Sequence, residues 1–240
     1  GTTGGTLDVL AATGSISMVD GAVSNTGSGS IRYAAATTIS LGSLSTTGHV
    51  SLNGTAITDS GTTDTDVTSS TLMVRATTGF GTGGNHIETT VGTLSAEVGT
   101  GGLFVTESDG VVVDTVAAVT VNRVKTDGTV TASTVTDGAL NDLTTSSNGS
   151  AVLVSTLGDI TLKDGSDGDG KAVDVNGSGN IRIDAVAGAV DIQSGVSTGT
   201  GHISVLAGTT LSQSTGAADV TTVGGTVDMK AGTGIAMVDG

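Results

Sequence analysis

Residues 179–193 read GNIRIDAVAGAVDIQ. Ile181, Ile183 and Ala185 alternate with Arg182 and Asp184, and Val190 and Ile192 flank Asp191. Successive side chains of an extended chain point to opposite faces, so this alternation predicts two short strands, each with one apolar and one solvated face. Gly179 and Gly188 stand just ahead of them, where a tight corner or a positive φ is easiest for glycine.

The same pattern runs outward in both directions. It recurs in Gly14-Ser-Ile-Ser-Met-Val, Ser30-Ile-Arg-Tyr-Ala, His49-Val-Ser-Leu, Asp159-Ile-Thr-Leu-Lys, His202-Ile-Ser-Val-Leu and Thr226-Val-Asp-Met-Lys. No segment carries an apolar stripe of helical period and adequate length, so the chain reads as all-β. A longer rhythm lies over the strands. Starts at Thr6, Ser30, His49, Thr71, His86, Leu103, Thr129, Ser150, Lys171, His202 and Thr226 are spaced by about 22 residues on average. Two or three short strands per unit of that length predict a parallel β-helix of about ten coils. Residues 1–240 then form one continuous β-solenoid segment.

Composition agrees with a narrow core. There are 40 Gly, one Tyr, two Phe, and no Pro, Cys or Trp. Val, Ile, Leu, Ala and Met fill stacked rows inside a thin rod more readily than a thick globular interior. Proline would remove a donor from an internal strand, and none is present. An immunoglobulin-like sandwich would need larger core side chains and would lack the coil-length rhythm. Mean hydropathy of +0.25 and recurrent Val and Ile speak against disorder. The net charge of −15 disfavours nucleic acid as a partner, because phosphate binding needs clustered Lys and Arg. No stretch approaches the apolar length of a membrane-spanning helix.

Gly29-Ser-Ile-Arg-Tyr, Gly48-His-Val-Ser-Leu, Gly179-Asn-Ile-Arg-Ile and Gly201-His-Ile-Ser-Val share a Gly-polar-aliphatic-x-aliphatic form. In this style of repeat the chain resembles the repeat regions of filamentous haemagglutinin-like exoproteins and autotransporter adhesins. The resemblance implies a right-handed β-helix, secretion to a bacterial cell surface, and an extracellular structural or adhesive role. Unit lengths depart from a regular repeat at Leu103 to Gly128 and at Lys171 to Gly201.

Little in the chain asks for catalysis, and the expectation is that it is not an enzyme. His49, His86 and His202 each open a strand, in units too far apart to converge, so they read as outward polar positions. Asp164, Asp167 and Asp169, in the glycine-rich run Lys163 to Lys171, offer hard oxygen ligands suited to calcium, although the spacing matches no EF-hand loop. The alternative there is a solvated acidic turn. Thr63-Asp-Thr-Asp66 repeats the idea weakly. Gly79 to Gly84 lacks the lysine and the following helix of a phosphate loop. Asn53, Asn148 and Asn176 precede glycine and read first as turns. Tyr33, Phe80 and Phe104 are too few to build a sugar-stacking groove, and Thr-x-Thr does not recur in register as ice binding would need.

The two ends resemble each other. Gly5–Gly21, GTLDVLAATGSISMVDG, matches Gly225–Gly240, GTVDMKAGTGIAMVDG, at most positions once Ser15 is treated as an insertion. That predicts a second period near 220 residues, with this chain as one repeat plus an overlap of a tandem array. Open strand edges in such a solenoid invite further pairing. The expected function is a structural repeat of a secreted surface fibre, built by continuation or by end-to-end self-association. The alternative is an adhesin stalk whose loops 58–70, 79–84 and 164–171 bind a glycan or host protein.

Overall fold

The structure is a computed structural model that describes residues 4–61 and 64–238, with the backbone alone of 131–135. Among the described residues it is all-β, with 25 strands and no helix. Twenty-three strands form a single sheet in which every pairing is parallel, and two form a separate antiparallel hairpin. The large sheet curls until it nearly closes on itself.

Pairing proceeds by a regular advance along the chain. Leu7 pairs with Ile31, Ile31 with Val50, Val50 with Leu72 and Leu72 with Leu94, in steps of 24, 19, 22 and 22 residues. In the second half Ala151 pairs with Ile181, Ile181 with Ile203 and Ile203 with Val227. Each register stacks like on like. The rows Ile16–Ile39–Ile57–Phe80 and Leu153–Ile183–Val205 are buried throughout, because each strand covers the apolar face of the next. A fully buried Val, Leu or Ile contributes about 1.5–3 kcal/mol, so repeated short rows supply the stability that aromatic bulk would give elsewhere.

Glycines mark the corners because backbone stacks on backbone there. A Cβ on Gly179 would overlap the carbonyl oxygen of Gly149, one on Gly201 that of Gly179, and one on Gly225 that of Gly201. Threonine hydroxyls close the same corners. Thr46 Oγ1 donates to Gly29 O at 2.7 Å, Thr198 Oγ1 to Gly179 O at 2.7 Å and Thr222 Oγ1 to Gly201 O at 2.8 Å.

Two departures from the rhythm have structural causes. The strand start expected at Thr129 is not part of the parallel sheet. Val119–Val124 and Val130–Asp137 form an antiparallel hairpin instead, within an excursion that leaves the sheet after Val113 and re-enters at Leu143. The re-entry is continuous with the exit: Val112 and Val113 pair with Thr93 and Leu94, and Leu143 to Thr145 pair with Ala96 to Val98 on the same neighbour. The irregularity at Lys171 to Gly201 follows a smaller excursion, the acidic loop between Ile160–Leu162 and Lys171–Val175.

The hairpin lies across the outside of the sheet along one row of side chains. Asp8, Arg32, Ser51, Met73 and Ser95 are successive register partners on strands that follow one another in the sheet. Val116 and Val119 pack on Met73, and Ser95 Oγ donates to the carbonyl of Asp114. Further along, Asp137 accepts from Ser51 Oγ at 2.6 Å and from Arg32 Nε at 2.9 Å. Furthest from the root, Arg123 meets Asp8 at 2.6 Å. Outward positions that alternation marks as solvated are therefore buried under a second layer.

Candidate functional site

The acidic loop gathers four carboxylates. One oxygen from each of Asp142, Asp164, Asp167 and Asp169 lies within 4.8 Å of the others. Oxygens on opposite sides of a calcium ion, each about 2.4 Å from it, are separated by about that distance. Three members are the residues expected from sequence. Asp142 comes from the other excursion, at the point where the chain re-enters the sheet.

Local geometry explains how it arrives there. Asp142 has a φ of 59°, the left-handed conformation that Asp tolerates better than most residues, and it is buried. Its backbone carbonyl accepts from Ala96 N, and its Oδ1 accepts from Gly165 N at 2.8 Å. Gly165 can approach because it has no Cβ; one would press on the Asn141 side chain. Asn141 Oδ1 in turn accepts from Thr115 Oγ1 at 2.6 Å and from Ser166 N at 3.1 Å, tying the two excursions together.

Electrostatics leave the group short of positive charge. Burial pushes the Asp142 carboxyl up to about 7; the Gly165 N–H opposes this, while Asp167, Asp169 and Asp164 reinforce it. Lys171 is turned away to Asp174 at 2.7 Å, and Lys163 to Asp114 at 3.8 Å. Among the described residues no Lys or Arg forms an ion pair with the four carboxylates. Asp164 Oδ1 is buried with no hydrogen-bond partner, whereas its Oδ2 accepts from Gly170 N at 3.2 Å. The donor set is all oxygen and anionic, which suits a hard divalent cation.

A second acidic group, Asp59, Asp66 and Glu88, was only hinted at by the run Thr63–Asp66, of which Thr63 lies outside the described residues. Its chemistry differs. Burial pushes Asp66 up to about 9, helped by Asp59 and Glu88 against the Glu88 N–H that bonds its Oδ2 at 2.9 Å. Burial thus favours the protonated form of Asp66, with one oxygen of each of Asp59, Asp66 and Glu88 within 4.8 Å of the others. Asn85, next to the Gly79–Gly84 run, donates to Asp59 Oδ2 and to Gly61 O, both at 3.1 Å.

The other candidates resolve into local structure. His49, His86 and His202 each place Nδ1 against a threonine hydroxyl on the strand that follows in the sheet: Thr71 at 2.7 Å, Thr106 at 2.9 Å and Thr226 at 2.9 Å. The three do not come together. Residues 82–85 close a tight turn through a Thr82–Asn85 bridge. Asn148 has a φ of 71°, consistent with its reading as a turn residue, while Asn53 lies inside the strand His49–Asp59. A shallow cavity of about 340 Å³ is lined by Thr46, Thr68, Ser69, Thr90, Val91 and Asp109. No helix among the described residues is long and apolar enough to cross a membrane.

No protein-family model, curated protein or solved structure matches this chain.

Proposed function

We propose that this chain is a structural segment of a secreted bacterial surface fibre, folded as a right-handed β-helix and continued by further copies of the same sequence. The observation that supports this best is the stacking itself: Val50, Leu72 and Leu94 are fully buried register partners repeated every 22 residues along the chain. Gly225–Gly240 also repeats the sequence of Gly5–Gly21. A rod whose rows repeat along its length is one that further copies of the same unit can extend. The resemblance to filamentous haemagglutinin-like repeats points the same way, to an extracellular or cell-surface location.

The acidic loop serves such a rod as a calcium clip, in which one ion fixes both excursions to the sheet through Asp142, Asp164, Asp167 and Asp169.

The test is a fusion of two copies at the longer period, residues 1–224 followed by residues 5–240. Ten stacked circuits at about 4.8 Å give a rod about 50 Å long, so the fusion should appear in electron microscopy as one unbroken rod about twice that length. Two separate beads joined by a hinge would overturn continuity. Single-copy rods that stay monomeric and bind glycans or host cells would favour the adhesin-stalk alternative.

A further inference from the structure

Three asparagines precede glycine, in Asn53-Gly-Thr, Asn148-Gly-Ser and Asn176-Gly-Ser. Glycine has no side chain to shield its amide nitrogen, so in such a pair that nitrogen can attack the side-chain carbonyl carbon of the asparagine. The fold treats the three pairs differently. Asn53 and Gly54 lie inside the strand His49–Asp59, with Asn53 in register between Ala34 and Arg75. A strand paired on both sides cannot turn its peptide plane toward the side chain without giving up its ladder. Asn148 has a φ of 71°, and its Oδ1 accepts from Ser178 N at 2.9 Å and from Ser178 Oγ at 3.2 Å. The Gly149 N–H that would have to attack donates to Ser146 O at 3.2 Å. Asn176 is exposed, just past the strand Lys171–Val175. Among the described residues neither its side-chain amide nor the Gly177 N–H makes a hydrogen bond.

We propose that Asn176 is a site of spontaneous deamidation, which takes water as its only co-reactant and yields aspartate and isoaspartate. Gly177 N gives its proton to a base in solution and bonds to Asn176 Cγ. The Cγ–Nδ2 bond then breaks, ammonia leaves with a proton from solvent, and a succinimide ring remains. Water opens that ring at either carbonyl. Cleavage between Cγ and Gly177 N restores the ordinary main chain with an aspartate side chain. Cleavage between the main-chain carbonyl carbon of residue 176 and Gly177 N leaves an isoaspartate, whose main chain runs through Cβ and Cγ and is one methylene longer.

The corner at Asn176 has no slack for the extra methylene. On one side Asn176 N donates to Thr145 O at 3.1 Å, and on the other Gly177 O accepts from Thr200 N at 2.6 Å. These bonds tie the corner to the circuits before and after it, and the added atom falls between them. Asn148 Oδ1 also lies so close to Gly177 that a Cβ there would overlap it. Isoaspartate therefore displaces a stacked corner, whereas aspartate adds only a carboxylate at an exposed position. The site does not depend on the fibre reading, since it uses only the corner and its immediate neighbours.

Trypsin separates the three sites, because Asn53 lies between Arg32 and Arg75, Asn148 between Lys125 and Lys163, and Asn176 between Lys171 and Arg182. The full chain is aged at pH 8 in buffer and, in parallel, in urea. Each peptide is then followed by mass spectrometry, with fragmentation that locates the change and distinguishes isoaspartate. In urea the three should convert at similar rates, since their local sequences are nearly the same. In the folded protein Asn176 should convert first, with Asn148 at least about tenfold slower because its pair must release its hydrogen bonds before reacting. Asn53 should stay intact, and conversion at Asn176 should slow at pH 6, where less of the nitrogen is deprotonated. The Tm of the protein should fall as isoaspartate accumulates, while Asn176→Gln should hold its Tm over the same period. Conversion of Asn148 or Asn53 ahead of Asn176 would overturn the assignment, as would an intact Asn176 in buffer once the urea sample has converted. An unchanged Tm in converted protein would overturn the tight corner and leave the site standing.

Discussion

Arg32 and Asp137 are separated by 105 residues in the chain and by 2.9 Å in the structure. Arg32 is 8 % exposed and its guanidinium is also bound by Asp8 at 3.0 Å, and the Asp137 carboxylate also accepts from Ser51. This buried network fastens the hairpin to the sheet. Removing one partner strands the others without water. Asp137→Ala should lower unfolding free energy by about 3 kcal/mol, measured by chemical denaturation. Asp8→Ala, which leaves the Arg32–Asp137 pair intact, should cost less.

Corner glycines should divide sharply by position. At Gly201 a methyl group would overlap the Gly179 carbonyl, whereas at Gly14 it meets nothing within 4 Å. Gly201→Ala should destabilise by about 3 kcal/mol or more, since backbone stacked on backbone cannot yield. Gly14→Ala should be close to neutral in the same thermal melts.

Stability of the metal-free protein should fall as pH rises from 5 to 9. Asp142 and Glu107 are pushed up to about 7 and Asp66 to about 9, each first by burial, so the folded state holds protons that the unfolded chain has released. With more protons bound in the native state, unfolding free energy decreases with pH across that window. The contribution is complete below the ordinary carboxylate range and is lost as pH passes first through 7 and then through 9. Glu107 is fully buried and accepts from Thr89 Oγ1 at 2.7 Å and Val91 N at 3.0 Å. Glu107→Gln should flatten the slope near pH 7, and an unchanged pH profile of Tm would count against this account.

Calcium should reverse part of that loss. Binding requires Asp142 to be deprotonated, so the rise in Tm on adding calcium should be larger at pH 8 than at pH 6. At about a hundredfold excess over Kd the stabilisation is about 2.7 kcal/mol. Asp142→Asn and Asp164→Asn should each abolish it, while Asp66→Asn should leave it in place. An equal effect of magnesium would point to screening of the acidic loop in place of a site.

The hairpin shows where reading the chain stops working. Val119, Val121 and Val130 alternate with polar residues as well as any strand does, and Thr129 falls where the rhythm expects a new unit. Alternation reports that a strand has two unlike faces; it does not report which neighbour covers the apolar one. Met73 and Arg32 occupy outward positions and are buried all the same, because a segment distant in sequence lies over them. Asp142 escaped notice for the same reason. A single Asp in Leu-Asn-Asp-Leu has no acidic neighbours in sequence, and only the closing of an excursion brings it to Asp164.

By itself the sequence determined the parallel rows, the corners and the narrow apolar interior. Period-two alternation and glycine placement act over a few residues, and stacking repeats them from strand to strand. Only the tertiary structure decided what lies outside the rows: the hairpin fixed by Arg32 and Asp137, and the carboxylate that completes the acidic loop. Those depend on pairings across 105 residues and 22 residues that no local pattern encodes, because the partners meet only when segments distant in sequence fold over one another.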